Sequence, residues 1–340
     1  MGITAIIEEF DKLNDFEQKK VYDIIYSVVN NSSNRVSDYL TEIREARFAK
    51  GSHCPYCKND KIIGHGKYRS RQRYKCKACG KTFNDMSCSP MAGTHHPDKW
   101  GRYIQYVSKG AVLLKIAKEL GIHVSTAFYW RHKVLNSIRT IGIEQLSGII
   151  ESDETFILES LKGKKGITHR KPRQRGGKSE FRGISHEQVC VLVAIDRNGH
   201  IISQKAGMGR VSAKQIDSII GEHIAPNSTL CTDSARNYIF FAKMKGMSHE
   251  KVNISKKKHV VKEIYHIQHV NAYHERVGTW INRHFRGVAT KYIDNYLLWH
   301  RFLELHKTME KDKLKKTLLT KVLSTDKATL VKELRPKKVA

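Results

Sequence analysis

The chain has 340 residues, of which 40% are hydrophobic, and 61 Lys and Arg stand against 33 Asp and Glu, a formal net charge of +28. This length and composition allow one large globular domain and one or two small ones. A folded chain this basic is expected to bind a polyanion, and nucleic acid is the leading candidate. Residues 1–47 differ, because their net charge is −3, which leaves +31 for the remainder. The first segment is therefore not expected to touch DNA.

A membrane partner is disfavoured by the distribution of apolar and basic residues. No apolar run reaches the roughly 18 residues that cross a bilayer, and the residues after Met1 do not resemble a signal peptide. Four of the seven cysteines form two Cys-x-x-Cys pairs. This spacing indicates metal binding in a reducing compartment rather than a disulfide framework. We therefore expect a cytoplasmic protein.

The first two predicted modules are a helical segment and a zinc ribbon. Residues 1–47 have apolar positions at helical spacing, and these helices either pack on the next module or self-associate. In residues 48–90, 18 residues separate two cysteine pairs, a spacing that surrounds one tetrahedral Zn²⁺ with four thiolates. The four predicted ligands are Cys54, Cys57, Cys76 and Cys79. Basic residues between the pairs are expected to contact DNA phosphates, namely Arg69, Arg71 and Arg73.

Residues 91–143 predict a helix-turn-helix. Apolar residues recur at helical spacing from Val112 to Leu135, and Gly121 interrupts them where a turn is needed. A helix, a glycine turn and a polar, basic second helix are the arrangement of DNA-binding helix-turn-helix modules, although an ordinary helical hairpin gives the same pattern. The residues predicted to lie on or near the recognition helix are Arg131, His132 and Lys133.

Residues 144–305 change to a strand-like pattern that contains two aspartates in similar settings. Asp153 and Asp233 each follow a short apolar run, 80 residues apart. The order of three strands, then alternating helix and strand, then a long helix matches a ribonuclease-H-like α/β fold with a mixed sheet. In that fold the first and fourth strands are neighbours, so the two carboxylates should lie together. Such a pair is expected to hold two Mg²⁺ or Mn²⁺ ions for phosphoryl transfer, because buried like charges require a cation.

A third metal ligand is expected from the helix that follows. Asn271, His274 and Glu275 are spaced i, i+3 and i+4, so all three lie on one helical face. Glu275 is chemically the best ligand for Mg²⁺, whereas His274 and Asn271 are geometrically equivalent. The sequence leaves these three alternatives open.

Two further basic segments are expected to bind DNA. Residues 162–183 hold nine Lys or Arg, one acid and five glycines, which predicts a mobile insertion between the first two strands. Beside the active site it either clamps the phosphate backbone or remains a solvated charge run. Its candidate DNA contacts are Lys171, Arg173 and Arg175. Residues 306–340 predict a basic helix and a frayed end that either follow DNA nonspecifically or keep the chain soluble.

Taken together, these motifs resemble the zinc-ribbon-bearing insertion-sequence transposases of the acidic-triad, or DDE, superfamily. The resemblance covers roughly residues 50–305, through the two cysteine pairs, Glu151-Ser152-Asp153-Glu154, Thr232-Asp233 and His269-Val270-Asn271. It implies cleavage and strand transfer at the terminal repeats of a bacterial element with two metal ions. It also implies double-stranded DNA partners at element ends and target, association with the nucleoid, and at least a homodimer on DNA.

One position departs from this family pattern, and two other functions compete with transposition. Many relatives have the third carboxylate three residues after the asparagine, where this chain has His274. This departure suggests an inactive transposase-derived protein as one alternative. A DNA-binding regulator is the other, in which residues 145–300 only support dimerisation. The aspartate pair favours the enzyme.

Overall fold

The computed structural model separates the chain into two compact units. One unit comprises Met1–Ile104 with Leu323–Ala328, and the other comprises Gln105–Val322 with Thr329–Ala340. The residues that the structure describes are 3–33, 36–49, 51–68, 71–139, 145–168, 170–173, 177–253, 259–325 and 329–334. Among these residues, no helix is long and apolar enough to cross a membrane.

In the described part of the first unit, three helices precede the predicted ribbon. The helices are α1 (Ile3–Asp11), α2 (Asp15–Ser33) and α3 (Val36–Arg47). The ribbon is a three-stranded antiparallel sheet in the order β1-β2-β3, with β1 (Ile62–Tyr68), β2 (Arg71–Cys76) and β3 (Thr82–Asn84). Its core is small. Phe83 stacks on Tyr74, and these rings pack beside Cys54 and Cys76. A sheet of this size buries little apolar surface, so metal ligation is the expected source of its stability.

Helices α4 to α6 follow, and the last two form the predicted helix-turn-helix. Their bounds are α4 (Trp100–Ser108), α5 (Leu113–Leu120) and α6 (Val124–Arg139). Gly121 ends α5 in the left-handed conformation (φ 55°), which glycine adopts without the cost that a Cβ imposes. The C-terminal half of α6 packs against α10 (Ile293–Leu305). In consequence this half of the helix is a core element.

A five-stranded mixed sheet organises the second unit. Its strands are β4 (Ile149–Leu158), β5 (Gln188–Asp196), β6 (Ile201–Met208), β7 (Thr229–Asp233) and β8 (Ser248–Val252). The spatial order is β6-β5-β4-β7-β8, antiparallel from β4 to β6 and parallel from β4 through β7 to β8. This is the predicted ribonuclease-H-like arrangement, with the first and fourth strands of the sheet adjacent. The fold prediction is thereby confirmed.

Helices cover both faces of the sheet. On one face, Ile216 of α7 (Ala213–Ile220) and Tyr238 of α8 (Arg236–Lys245) join a buried cluster with Leu192 and Leu230. On the other face, α9 (Gln268–Gly278) packs on β4 and β5, and α10 packs on β6. The strands β4 and β5 are covered on both sides, which explains why β5 is almost wholly buried.

The chain after α9 contains irregular and helical segments. A π-helical turn, Thr279–His284, continues α9, and a short 3₁₀ turn, Thr290–Tyr292, leads into α10. The helix predicted in the basic tail is present as α11 (Lys311–Leu323), and α12 (Val331–Leu334) follows. The apolar side chains of α11 at Leu318, Leu319 and Val322 are fully buried. This tail is therefore part of the folded protein, at least over α11.

Candidate active site

The two predicted catalytic aspartates lie on adjacent parallel strands. Ile149 of β4 is paired with Thr229 of β7, and Glu151 with Cys231, an offset of 80 residues. Two residues beyond this pairing, Asp153 and Asp233 are close enough for the Asp233 charge to raise the pKa of Asp153. Because side chains alternate along a strand, Asp153 shares the face of Glu151, which is the face that α9 covers.

These carboxylates form an electrostatically unfavourable group. Burial raises the pKa of Asp153 to about 7, and the negative charges of Glu154 and Asp233 add to this effect. Burial also raises the pKa of Glu154, although the Asn237 amide donates a 2.7 Å hydrogen bond to it. One oxygen of Asp233 accepts a 2.9 Å hydrogen bond from the Ala235 backbone. A cation held between the acids would relieve their repulsion.

Helix α9 brings one of the three alternative ligands to the acids. The Nδ1 atom of His274 lies 4.0 Å from Oδ2 of Asp153, and the side chains are 12% and 22% exposed. Among the described residues, the buried Nε2 of His274 has no hydrogen-bond partner. Burial lowers the pKa of His274 to about 4, so the ring is neutral at pH 7. In a neutral ring, one of the two nitrogens carries no proton and can bind a metal ion. Asn271 and Glu275 are exposed, and Glu275 lines a separate cleft beside Trp280.

A buried carboxylate that the sequence analysis did not select holds the start of α9. The side chain of Glu151 is 1% exposed. One of its oxygens accepts backbone hydrogen bonds from His269 (2.8 Å) and Val270 (3.2 Å), and the other contacts Nδ1 of His269 at 2.6 Å. A carboxylate is favourable here because the first backbone N–H groups of a helix lack intrahelical partners and carry partial positive charge. Glu151 thereby ties α9 to the strand that carries Asp153.

The positive charge opposite Glu151 comes from Arg197 in the β5–β6 turn. Its guanidinium lies 3.1 Å from the Glu151 carboxylate and donates to the Ile264 carbonyl at 3.1 Å. It also lies 2.9 Å from a ring nitrogen of His266 and 2.9 Å from one of His269. Glu151, His266 and His269 have their ligand-type atoms within 4.8 Å of one another, as in a metal site. The Arg197 guanidinium contacts all three residues, so it takes the position that a metal ion would occupy.

Replacing Glu151 with glutamine is expected to destabilise the second unit by about 3 kcal/mol, because it leaves Arg197 without its buried counter-charge. The start of α9 also loses a charged acceptor. Urea unfolding followed by circular dichroism measures the change. The control is Glu222→Gln, since the Glu222 side chain is 82% exposed and its substitution should cost less than about 0.5 kcal/mol. Equal effects of the two substitutions would contradict the anchoring role of Glu151.

A signal for Glu151 was present in the sequence. It stands two residues before Asp153, which places both side chains on the same face of a strand. Acidic residues are scarce in this basic chain, so a carboxylate in a central strand needs a specific partner. Its partners Arg197 and His269 are 46 and 118 residues away, and pattern alone does not connect them.

The four predicted zinc ligands are brought together in the ribbon. Their ligand atoms all lie within 4.8 Å of one another, with Cys54 and Cys79 sulfurs 3.7 Å apart and Cys57 and Cys76 sulfurs 3.6 Å apart. A tetrahedron with metal–sulfur bonds of about 2.3 Å has sulfurs about 3.8 Å apart. The backbone N–H of Cys79 lowers the pKa of Cys76 to about 7, which favours the thiolate that binds metal. The cluster fits one tetrahedral ion.

Two of the predicted DNA contacts in the helix-turn-helix are wrong. Arg131 is 1% exposed, and its guanidinium donates to the Ala111 carbonyl and lies over the rings of Phe285 and Trp299. His132 is fully buried and stacks on Tyr292, and burial lowers its pKa to about 3. Both serve the core because the second half of α6 packs within the unit. Sequence periodicity did not separate this half from the exposed first turn.

The other predicted DNA contacts have varied surroundings. Lys133, Arg71 and Arg73 are half-buried, and Lys171 is exposed. Arg173 is 13% exposed, and its guanidinium binds Glu187 and the Glu159 carbonyl, so its role here is structural. Arg69 and Arg175 lie outside the described residues.

The strand order of this unit is that of a ribonuclease-H-like sheet. Residues 145–302 match the family model described as the ISXO2-like transposase domain. Over 274 residues the chain is 25% identical to the "Uncharacterized protein in transposable element ISH50" of Halobacterium salinarum, covering 78% of this chain and 88% of that protein. The predicted resemblance to insertion-sequence transposases is confirmed by these matches.

Solved structures of the Mos1 transposase are also similar over much of the chain. A pre-cleavage Mos1 transpososome has 10% identity and a TM-score of 0.21, covering 68% of this chain and 79% of that one. The Mos1 strand transfer complex has 13% identity and a TM-score of 0.22, covering 67% and 78%. At these TM-scores the fold assignment depends on the strand order described above.

Proposed function

We propose that this chain is a DDE-type DNA transposase that binds the terminal inverted repeats of its element, cuts DNA strands there and joins them to a target. The observation that carries the proposal is the position of Asp153 and Asp233 on neighbouring parallel strands, close enough for the Asp233 charge to raise the pKa of Asp153, with His274 4.0 Å from Asp153. Burying like charges without a cation is unfavourable, so a purely structural role does not account for this group. The match of residues 145–302 to a transposase domain supports the same conclusion.

The residues present fit divalent metal ions. Asp153 and Asp233 offer the carboxylate oxygens that Mg²⁺ and Mn²⁺ prefer, and the neutral His274 offers a nitrogen with no other partner among the described residues. Two bound ions would polarise the phosphodiester and activate a water or a DNA 3′-hydroxyl as the nucleophile. A nitrogen ligand is softer than a carboxylate, so we expect Mn²⁺ to support activity better than Mg²⁺.

The DNA-reading modules complete the proposal. We assign a structural Zn²⁺ to the four cysteines of the ribbon, and terminal-repeat binding to the ribbon and helix-turn-helix together. In helix-turn-helix proteins the N-terminal residues of the second helix contact base edges. His123, Val124 and Ser125 at the start of α6 are exposed and suit this role. Because two ends must be brought together, the active form on double-stranded DNA is expected to be at least a homodimer.

Replacing His274 with alanine tests the proposed third ligand. We expect strand cleavage to fall by about 10²-fold or more, since the metal loses a ligand, and His274→Glu should recover part of the activity with Mg²⁺. Asn271→Ala and Glu275→Ala are the matched substitutions on the same helix and should change cleavage by less than about threefold. Cleavage of end-containing DNA in Mg²⁺ and in Mn²⁺ measures all four variants.

Two results would overturn the proposal at different levels. A larger loss for Glu275→Ala than for His274→Ala would reassign the third ligand and leave the acidic pair in place. Metal-independent binding of element ends without any cleavage, in either metal, would instead favour the DNA-binding regulator.

A further inference from the structure

The basic insertion between β4 and β5 is folded around one buried carboxylate. Glu187 is 6% exposed and accepts hydrogen bonds from the Ser179 hydroxyl, the Arg173 guanidinium and the backbone N–H groups of Glu180 and Phe181. These donors lower the pKa of Glu187 to about 2. The sequence predicts a mobile segment, and the described residues indeed contain no helix or strand. Their bonds to Glu187 nevertheless hold Arg173, Ser179, Glu180 and Phe181 around one carboxylate.

The insertion is also tied to the chain that follows α9. Ser160 and Thr290 exchange two hydrogen bonds, from Ser160 N to Thr290 Oγ1 (2.9 Å) and from Thr290 N to the Ser160 carbonyl (2.8 Å). The Lys162 ammonium donates to the carbonyls of Phe285, Arg286 and Gly287 at 3.0–3.4 Å. The insertion and the segment 282–287 both line one cleft.

This insertion cleft has a volume of about 800 Å³. Its lining includes the apolar residues Leu158 and Leu161, and Phe156, which also packs against the buried cluster of α7 and α8. It also includes cations and an amide. Among these are Lys162, Arg170, Asn282 and Arg286. The acid in the lining, Glu159, is paired with Arg170 at 3.1 Å. A lining of apolar residues and cations suits a ligand with a planar apolar part and negative charge.

Arg286 is the lining residue with a strained backbone. Its φ is 53°, a left-handed conformation that costs a residue with a Cβ about 1–3 kcal/mol. The side chain is exposed, and among the described residues it has no carboxylate partner. Such strain persists where the surrounding structure imposes it, and it is frequent at ligand sites. The bonds of Lys162 to this turn hold the strained backbone in place.

We propose that the insertion cleft binds one or two unpaired nucleotides of the DNA strand that is cut or joined at Asp153 and Asp233. This inference depends on the proposed function. Ligand sites commonly have volumes of roughly 300–1,000 Å³, so the cleft accommodates a dinucleotide but not a duplex. Bases pack on the apolar residues of the lining, and Arg286 and Lys162 bind the phosphates.

The location relative to the acids supports this assignment. Phe156 and Ile157 follow Asp153 on the same strand by three and four residues, and a strand rises about 3.3 Å per residue. The cleft thus begins about 10–13 Å from Asp153. A DNA strand covers this distance in three or four nucleotides at about 3.4 Å each. A strand that leaves the duplex at the acids therefore reaches the cleft.

The test compares binding of a labelled 12-nucleotide single strand and its matched duplex by fluorescence anisotropy, with the zinc-loaded full chain and without added Mg²⁺ or Mn²⁺. Arg286→Gly removes the guanidinium and relieves the left-handed strain, so its melting temperature should not fall. We expect it to weaken single-strand binding about tenfold and duplex binding less than threefold. Lys243→Ala removes an exposed charge outside the cleft and should affect the two ligands equally and weakly.

A second variant and a competitor complete the test. Ile167→Trp fills the cleft from its lining and should reproduce the selective loss for the single strand. The proposal is overturned if neither variant weakens single-strand binding or if both ligands weaken equally. It is also overturned if free deoxynucleoside monophosphate competes as well as the oligonucleotide. Selective single-strand binding by a chain that never cuts DNA would contradict the transposase proposal and leave the cleft assignment standing.

Discussion

Replacing Asp153 with asparagine is expected to lower DNA strand cleavage by about 10³-fold or more while leaving DNA binding within about twofold. Asparagine has nearly the same shape but lacks the charge that holds a divalent cation. Asp233→Asn should have a similar effect. Because both residues are proposed to hold the same metal ions, the double substitution is expected to be little worse than either alone.

The same substitution should stabilise the metal-free protein. Burial raises the pKa of Asp153 to about 7, so its ionised form is disfavoured in the folded state. The free energy of unfolding therefore decreases as the pH rises from the pKa of this carboxyl in the unfolded chain, near 4, to its pKa in the folded chain, about 7. At pH 8 we expect Asp153→Asn to raise the melting temperature of the metal-free chain, and at pH 3 to leave it unchanged.

Cleavage of end-containing DNA, gel-shift binding and thermal melting together check these expectations. The control is Asp217→Asn on α7, where Asp217 pairs with Lys245 at 2.7 Å and is 36% exposed. It should leave cleavage unchanged. Retention of full cleavage by Asp153→Asn would rule out the acidic pair as the catalytic centre.

Replacing Cys76 with serine is expected to unfold the ribbon and remove specific DNA binding. Structural zinc in small modules contributes roughly 10–16 kcal/mol of binding free energy, and a serine hydroxyl is a poor substitute for a thiolate. The ribbon core is too small to compensate, since its buried cluster among the described residues comprises Cys54, Cys76 and Phe83. Zinc content should fall from one ion per chain to nearly none, and tryptic cleavage within residues 51–84 should accelerate.

Cys88→Ser is the matched control, because Cys88 is half-buried, reduced and outside the four-cysteine cluster. It should retain one zinc per chain and resist trypsin as the wild type does. The melting of the second unit should be unaffected by Cys76→Ser. Full zinc content and end binding in Cys76→Ser would contradict the assignment of the ribbon as a zinc-dependent DNA-binding module.

The strand order of the second unit was predictable because each element carries a local signal. Alternating and continuous apolar runs mark β4 and β5, the Arg197-Asn198-Gly199 turn marks the hairpin, and Ser212 marks the start of α7 through its capping box. A recognised order then implies which strands are adjacent. The side-by-side position of Asp153 and Asp233 followed from that order.

Long-range partners were not predictable in the same way. The burial of Arg131 and His132 depends on α10, which lies about 165 residues further along the chain, and periodicity within α6 does not contain that information. Likewise, the spacing of Asn271, His274 and Glu275 placed all three on one face. Only the rotation of α9 on the sheet, which Glu151 and Arg197 hold, directs His274 to Asp153.

The sequence by itself determined the ribbon, the ribonuclease-H-like domain and its acidic pair, because these depend on ligand spacing, apolar period and turn residues that act over short stretches. The tertiary structure alone decided which helix residue meets the acids, which arginines belong to the core, and which donors of the basic insertion Glu187 binds. Each of these depends on a buried charge finding its partner. Desolvation makes an unpaired charge costly, so the packed fold selects the partner that linear spacing leaves open.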